Sequence, residues 1–296
     1  MVYNRQIAIN NILRAYKKPK GMPRNMQKLR QWILRTNKRA RKQDDVIQDK
    51  YKAKLKISKV AAVPDTLFIS YSPNISNHLD GLKETTFVLK PNHLSRGIGI
   101  RTLIKDGNKY RDICGDVLTK EDLLAEAQAS YKQQRLSINC IKGIMAEQRL
   151  ISHDDLQWYS CSGIADIRMI FINDQFTMGL GRFPTLASGE YGNMARGAKW
   201  GIFDSLGRFR HDERFNSKEI PDGKKLPFFA EMKETAQKVI DSYGYVVQAV
   251  DMTVDNTGKV YVIESERTPQ FELYLTREGV DWLWGVIEGS SWGDRL

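Results

Sequence analysis

TTFVLKPNHLSRGIGIRTLIKDG, residues 85–107, sets a lysine and a glycine-rich turn between two apolar runs with the character of strands. Phe87, Val88 and Leu89 are apolar and partly β-branched, as a buried strand requires, and Lys90 stands where that strand would end. From there its ammonium can reach phosphate oxygens as a compact point charge. Gly97 and Gly99 give the turn backbone angles closed to other residues and let backbone N–H groups approach a phosphate. The pattern predicts a β-turn-β unit that clamps a nucleotide phosphate. An ordinary hairpin uses the same residue types, so this reading needs support from elsewhere in the chain. The stretch holds neither GxxxxGKS/T nor GxGxxG, which removes a Walker loop and a dinucleotide fingerprint.

Support comes from VVQAVDMTV (246–254), the turn DNTG (255–258) and KVYVIESE (259–266), which read as a β-hairpin. With Asp255 to Gly258 as the loop, Val254 pairs with Lys259 and Asp251 falls opposite Val262. Opposite residues share a face and side chains alternate with period two, so Glu264 and Glu266 join Asp251 on one face. Clustered carboxylates repel and lose hydration unless a cation joins them. Hard oxygen ligands suit Mg²⁺, or Mn²⁺, held partly by substrate phosphates. A solvated acidic face is the plainer alternative, and the lysine clamp upstream favours the metal.

The chain has 296 residues, 41% of them hydrophobic, enough for two or three modest subdomains with real cores. No run approaches the length of a membrane span, and MVYNRQIAINNILRAYKK lacks the apolar core and cleavage site of a signal peptide, so the expectation is a cytoplasmic protein. Cys114, Cys140 and Cys161 are odd in number and far apart, which fits a reducing compartment better than a disulfide framework or a zinc site. The four histidines are equally scattered.

Charge is distributed unevenly. Residues 14–59 hold 17 Lys/Arg against Asp44, Asp45 and Asp49, whereas residues 60–296 carry a net −4. Leu29, Trp32, Ile33 and Leu34 recur there at roughly helical spacing, so the segment reads as basic helices packed on something rather than a tail. Such a surface suits an acidic polypeptide, nucleic acid or anionic lipid, and equally a solvated helix face. The punctuation predicts three regions: a basic helical region 1–60, a smaller subdomain 61–150 with the phosphate loop, and a larger one 151–296 with the acidic hairpin. Helices are expected over 120–134 and 227–244, and a strand over 138–150.

In order along the chain stand GMPRNMQKLRQWILRTNKRARKQDDVIQDKYKAK (21–54), VLKPNHLSRGIGI, GIADIRMIFINDQFTMGLGRFPTLASGEYGNMARGAKWGIFDSLG (163–207), VDMTV and VIESERTP. Together they resemble the ATP-grasp carboxylate-amine ligases, most nearly the RimK-type glutamate ligases and the alpha-L-glutamate ligase-like proteins, from about Gly21 to Phe271. The resemblance implies an α+β ATP-grasp fold with a basic, mainly helical N-terminal region. It implies ATP and Mg²⁺ as cofactors and places nucleotide contacts at Lys50, Lys90, Ser95, Gly97, Gly99, Glu147, Asp166 and Asn193. Lys52 and Lys54 lie near enough to take the place of Lys50, and Glu147 falls where the family's chain passes the adenine. Cations of the reaction centre fall on Arg168, Arg182 and Arg196, and metal ligands on Asp251, Glu264 and Glu266. Glu266 departs from the asparagine usual there, and Tyr191-Gly192 replaces a basic residue before Asn193, which leaves glutamate specificity open.

The implied reaction joins a carboxylate to an amine through an acyl phosphate, with an amino acid and a peptide or protein as partners. A kinase or a small-molecule ligase of the same fold remains an alternative. So does a nucleic-acid-binding protein that uses the basic N-terminus and keeps a regulatory ATP-grasp body.

Overall fold

The computed structural model describes residues 49–94, 97–113, 115–134, 141–158, 163–172, 174–185, 188, 192, 197–210, 220–245 and 247–266. Most of the basic region, the three cysteines, Ser95, Asn193 and Arg196 lie outside these residues. The described chain is α+β, with two antiparallel six-stranded sheets.

The first sheet is built from β1 (Thr66–Ser70), β2 (Thr86–Pro91), β3 (Arg101–Asp106), β4 (Lys109–Asp112), β5 (Val117–Thr119) and β6 (Ile144–Gln148), in the order β1-β6-β2-β3-β4-β5. A short helix α2 (Ser76–Gly81) follows β1, and α3 (Lys120–Gln133) follows β5. Thr119 and Asp122 close a reciprocal capping box at the start of α3, satisfying free N–H groups of its first turn. Phe87 and Leu89 of β2 enter a core with Leu103, Leu123 and Ala127. By alternation, Val88 and Lys90 face the other way.

Of the strand expected over 138–150, residues 138–140 lie outside the described residues, and among the described residues 141–150 the strand runs from Ile144 to Gln148. Side chains take the backbone groups that a longer ladder would need. The Ile141 N–H goes to Asp49, its carbonyl accepts from Asn92, and both polar groups of the Gly143 backbone meet the carboxamide of Gln134.

The second sheet holds β7 (Asp166–Ile172), β8 (Gln175–Phe183), β9 (Lys199–Phe203), β10 (Phe209–Arg210), β11 (Val247–Val254) and β12 (Val260–Glu266), in the order β10-β9-β8-β7-β11-β12. Its core takes Met232, Ala236, Val239 and Ile240 from α4 (Phe229–Tyr243), with Met169, Val250 and Met252 from the strands. Gly244, at φ 65°, ends α4 in the left-handed region, its N–H bonded back to Ile240 O at 2.9 Å.

The hairpin register differs from the one expected. Asp251 does not face Val262; Val254 pairs with Val260 and Met252 with Val262, and a bulge then brings Asp251 opposite Glu264 and Ala249 opposite Glu266. Asp255 is the cause of the shift at the turn, because its Oδ1 accepts from Thr257 N, Thr257 Oγ1 and Lys259 N and keeps Lys259 within the loop. The bulge adds a second one-residue shift in the same direction, and a shift of two keeps the face, so Asp251, Glu264 and Glu266 lie together after all.

Helix α1 (Lys50–Ile57) links the sheets. Its start is bonded to Asn92 at the end of β2, its far end packs Ile57 into the second core, and the segment after it gives Ala62 O to Val262 N at 2.9 Å. Among the described residues, no helix is long and apolar enough to cross a membrane.

Candidate active site

The sequence KYKAKLKI makes α1 helical through its unbranched lysines, alanine and leucine, and Asp49 caps it by accepting from Lys52 N at 3.0 Å. Lys50 and Lys54 are four residues apart and so share a face. That face looks into a cleft lined by Lys50, Lys54, Ile57, Lys90, Glu147 and Glu264, between the first sheet and β12.

On the first-sheet wall, Val88 is the cross-strand partner of Glu147, which makes Lys90 its diagonal neighbour. Lys54 Nζ meets Glu147 Oε1 and Lys90 Nζ meets Oε2, each at 2.5 Å. All three residues are at most 9% exposed. Burial pushes Glu147 up, but the ammoniums of Lys90 and Lys54 outweigh it and hold the carboxyl below its ordinary value. At Lys54 burial wins over the pull of Glu147, so its ammonium sits below the usual lysine range.

The second-sheet wall gathers carboxylates. Asp251, Glu264 and Glu266 can offer oxygen atoms within 4.8 Å of one another. Arg168 binds Asp251 through Nε and Nη2, both at 2.7 Å, and reaches Glu266 with Nη1 at 3.1 Å. Every nitrogen of that guanidinium is therefore committed. Arg182 Nη2 bridges Asp166 at 2.6 Å and Asp251 at 3.0 Å, while its buried Nε has no hydrogen-bond partner among the described residues. Lys50 is paired with Glu264. Burial raises Asp251, yet Arg168 and Arg182 bring it down to about 2. Burial carries Asp166 up to about 7, aided by the charge of Asp251 and opposed by Arg182. Glu266 is raised by burial against the pull of Arg168.

Lys50, Lys90, Glu147, Asp166, Arg168, Arg182, Asp251, Glu264 and Glu266 thus fall into three sets of ion pairs along the cleft: Lys90 with Glu147, Lys50 with Glu264, and the two arginines with Asp166, Asp251 and Glu266. Gly97 and Gly99 adopt φ of 69° and 73°, as a turn needing glycine requires. Lys54 is the lysine that the sequence alone ranks behind Lys50. Its i, i+4 spacing from Lys50 is the signal that could have raised it.

The cleft between the two sheets thus has Lys90 of β2 and Lys54 of α1 on one wall and Asp251, Glu264 and Glu266 of β11 and β12 on the other. The family profile of sugar-transfer associated ATP-grasp matches residues 27–277, and the chain belongs to that family. The narrower RimK-type likeness is not part of this match. No protein of curated function matches the sequence. Among solved structures, the chain is similar to the VanG D-Ala:D-Ser ligase of Enterococcus faecalis, with 14% identity, TM-score 0.48 and coverage of 81% of this chain and 62% of that one. It is also similar to the D-alanine-D-alanine ligase of Helicobacter pylori, at 15% identity, TM-score 0.47 and coverage of 83% and 59%. A third is a Chryseobacterium gregarium RiPP-associated ATP-grasp ligase, solved with ADP and a leader and core peptide, at 14%, TM-score 0.43 and coverage of 82% and 62%. The chain spans about three-fifths of the length of each of these ligases.

Proposed function

We propose that the chain is an ATP-dependent, ADP-forming carboxylate-amine ligase working in the cleft between the sheets. The observation that carries this reading is the division of charge, with Lys54 and Lys90 side by side on one wall and Asp251, Glu264 and Glu266 together on the other. The lysines hold the phosphates of ATP, and Glu147 keeps two buried ammoniums at one place.

The three carboxylates are a hard oxygen set that fits Mg²⁺, and a magnesium ion bound by them supplies neutralisation of phosphate charge. Arg168 acts through Asp251 and Glu266, fixing the orientation of both. Arg182 sets Asp166 beside Asp251 and limits the repulsion that clustered acids would otherwise suffer. Phosphoryl transfer to a carboxylate needs positioning and neutralisation more than covalent help, and these groups provide both. The loop 95–99 serves as the lid that keeps water from the acyl phosphate, and Arg196 is the cation for the oxyanion formed when the amine attacks. The sequence likeness over 163–207 supports an amino acid and a peptide or protein as the two substrates.

ADP release measured over pooled carboxylates, pooled amines and both together tests this. Release that requires both pools, with one amide formed per ADP, is expected. Release with a carboxylate or hydroxyl acceptor and no amide makes the chain a kinase and sinks the ligase reading.

A further inference from the structure

We infer that Asn92, with Asp49, is the positioning residue for the lysines of α1, an inference that rests on the proposed binding of ATP in the cleft. Asn92 lies two residues beyond Lys90 and is 0% exposed. A buried carboxamide is costly unless its polar atoms are partnered, and here the partners come from two other segments. Its Oδ1 accepts from Tyr51 N at 2.9 Å, and its Nδ2 donates to Ile141 O at 2.8 Å. Its backbone N–H donates to Gly143 O at 2.8 Å and its carbonyl accepts from Lys50 N at 3.3 Å. Asp49 repeats the link, with Oδ1 capping Lys52 N and Oδ2 accepting from Ile141 N at 3.2 Å.

The first turn of α1 therefore hangs from the end of β2 and the approach to β6, the strands that carry Lys90 and Glu147. Eight residues are too few for a helix to hold its place unaided, so what its first turn binds decides where it points. A slip of one residue would turn the helix by roughly 100° and carry Lys54 off Glu147 and Lys50 off Glu264. Asn92 touches no ligand in this role. It fixes the helix lysines relative to the strand lysine, and so sets the spacing of the charges that meet the phosphates.

The test uses Mg²⁺ with AMP-PNP, titrated calorimetrically into wild type, Asn92→Ala, and the Lys50→Met/Lys54→Met chain with and without Asn92→Ala. Lysine acetylation without nucleotide, read by mass spectrometry, accompanies it. Asn92→Ala should weaken AMP-PNP binding on the order of tenfold in wild type and by less than about twofold when both helix lysines are already gone. Acetylation of Lys54 should rise while Lys90, still on Glu147, stays protected. Asp49→Asn keeps the cap on Lys52 but turns an amide N–H toward Ile141 N, so it should show a smaller change of the same pattern even if Asn92→Ala does not fold. Equal losses in both backgrounds, or unchanged labelling of Lys54, overturn the inference. If wild type does not bind AMP-PNP, the ATP reading fails instead, and the labelling alone decides whether Asn92 positions the helix.

Discussion

Lys90 and Glu147 are diagonal neighbours on the cleft face of the antiparallel pair β2 and β6, and their side chains meet at 2.5 Å. The same carboxylate takes Lys54 on its other oxygen, so a strand and a helix from distant parts of the sequence deliver their charges to one buried point. The stability of this wall of the cleft depends on that point, and so does the proposed binding of phosphate.

Lys90→Met should lower ATP turnover by roughly 10²-fold or more, the scale of losing one charge-stabilising group. The fold should survive, because Lys54 still pairs Glu147. ADP release and the circular dichroism melt of the same preparation check both halves. Unchanged turnover in a folded variant removes Lys90 from the phosphates.

Glu147→Gln leaves two buried ammoniums without their counterion, which should cost roughly 3–5 kcal/mol near neutral pH. The carboxyl is held below its ordinary 4.5 in the folded chain, so it binds fewer protons folded than unfolded. Its stabilisation is therefore complete above pH 4.5 and is lost as pH falls through the folded value. Urea midpoints followed through the acid range should fall less steeply in the variant. An identical acid limb would show that the pairing does not stabilise the chain.

Much of this site was legible in sequence. Lys90 stood out because an apolar β-branched run ended on it before two glycines, and Asp251, Glu264 and Glu266 because strands alternate. The register was not legible, since it turns on the Asp255 side chain holding Lys259 and on a bulge that no local pattern announces. The convergence survived because two one-residue shifts in the same direction add up to two, which leaves each side chain on its face. Nor did the sequence show that Asn92 and Asp49 would take the backbone groups of Ile141, because those bonds join residues 49 and 92 positions apart. The roles of the arginines were hidden for the same reason: a lone arginine on a strand does not reveal that all its nitrogens will be used on two acids.

Gly99→Ala places a β-carbon at φ +73°, with Ser130 Oγ 2.6 Å away. The backbone strain alone is worth about 1–2 kcal/mol. The variant should melt earlier and show a higher KM for ATP. Adding Ser130→Ala relieves the contact but not the dihedral, so thermal melts should recover only in part; full recovery would mean that the left-handed turn is dispensable.

Glu266→Asn should keep measurable turnover while needing several-fold more Mg²⁺, since about one charge is lost from the carboxylate set. Glu264→Ala should nearly eliminate turnover. A Mg²⁺ titration of ADP release distinguishes the two. A wild-type Mg²⁺ requirement in Glu266→Asn would leave Glu266 as a partner of Arg168 alone.

The most direct measurement is the anomalous diffraction of Mn²⁺ in crystals grown with AMP-PNP. Manganese is expected among the carboxylates of Asp251, Glu264 and Glu266, with the triphosphate against Lys54 and Lys90. Manganese bound elsewhere, or a triphosphate lying away from both lysines, would contradict the proposed site.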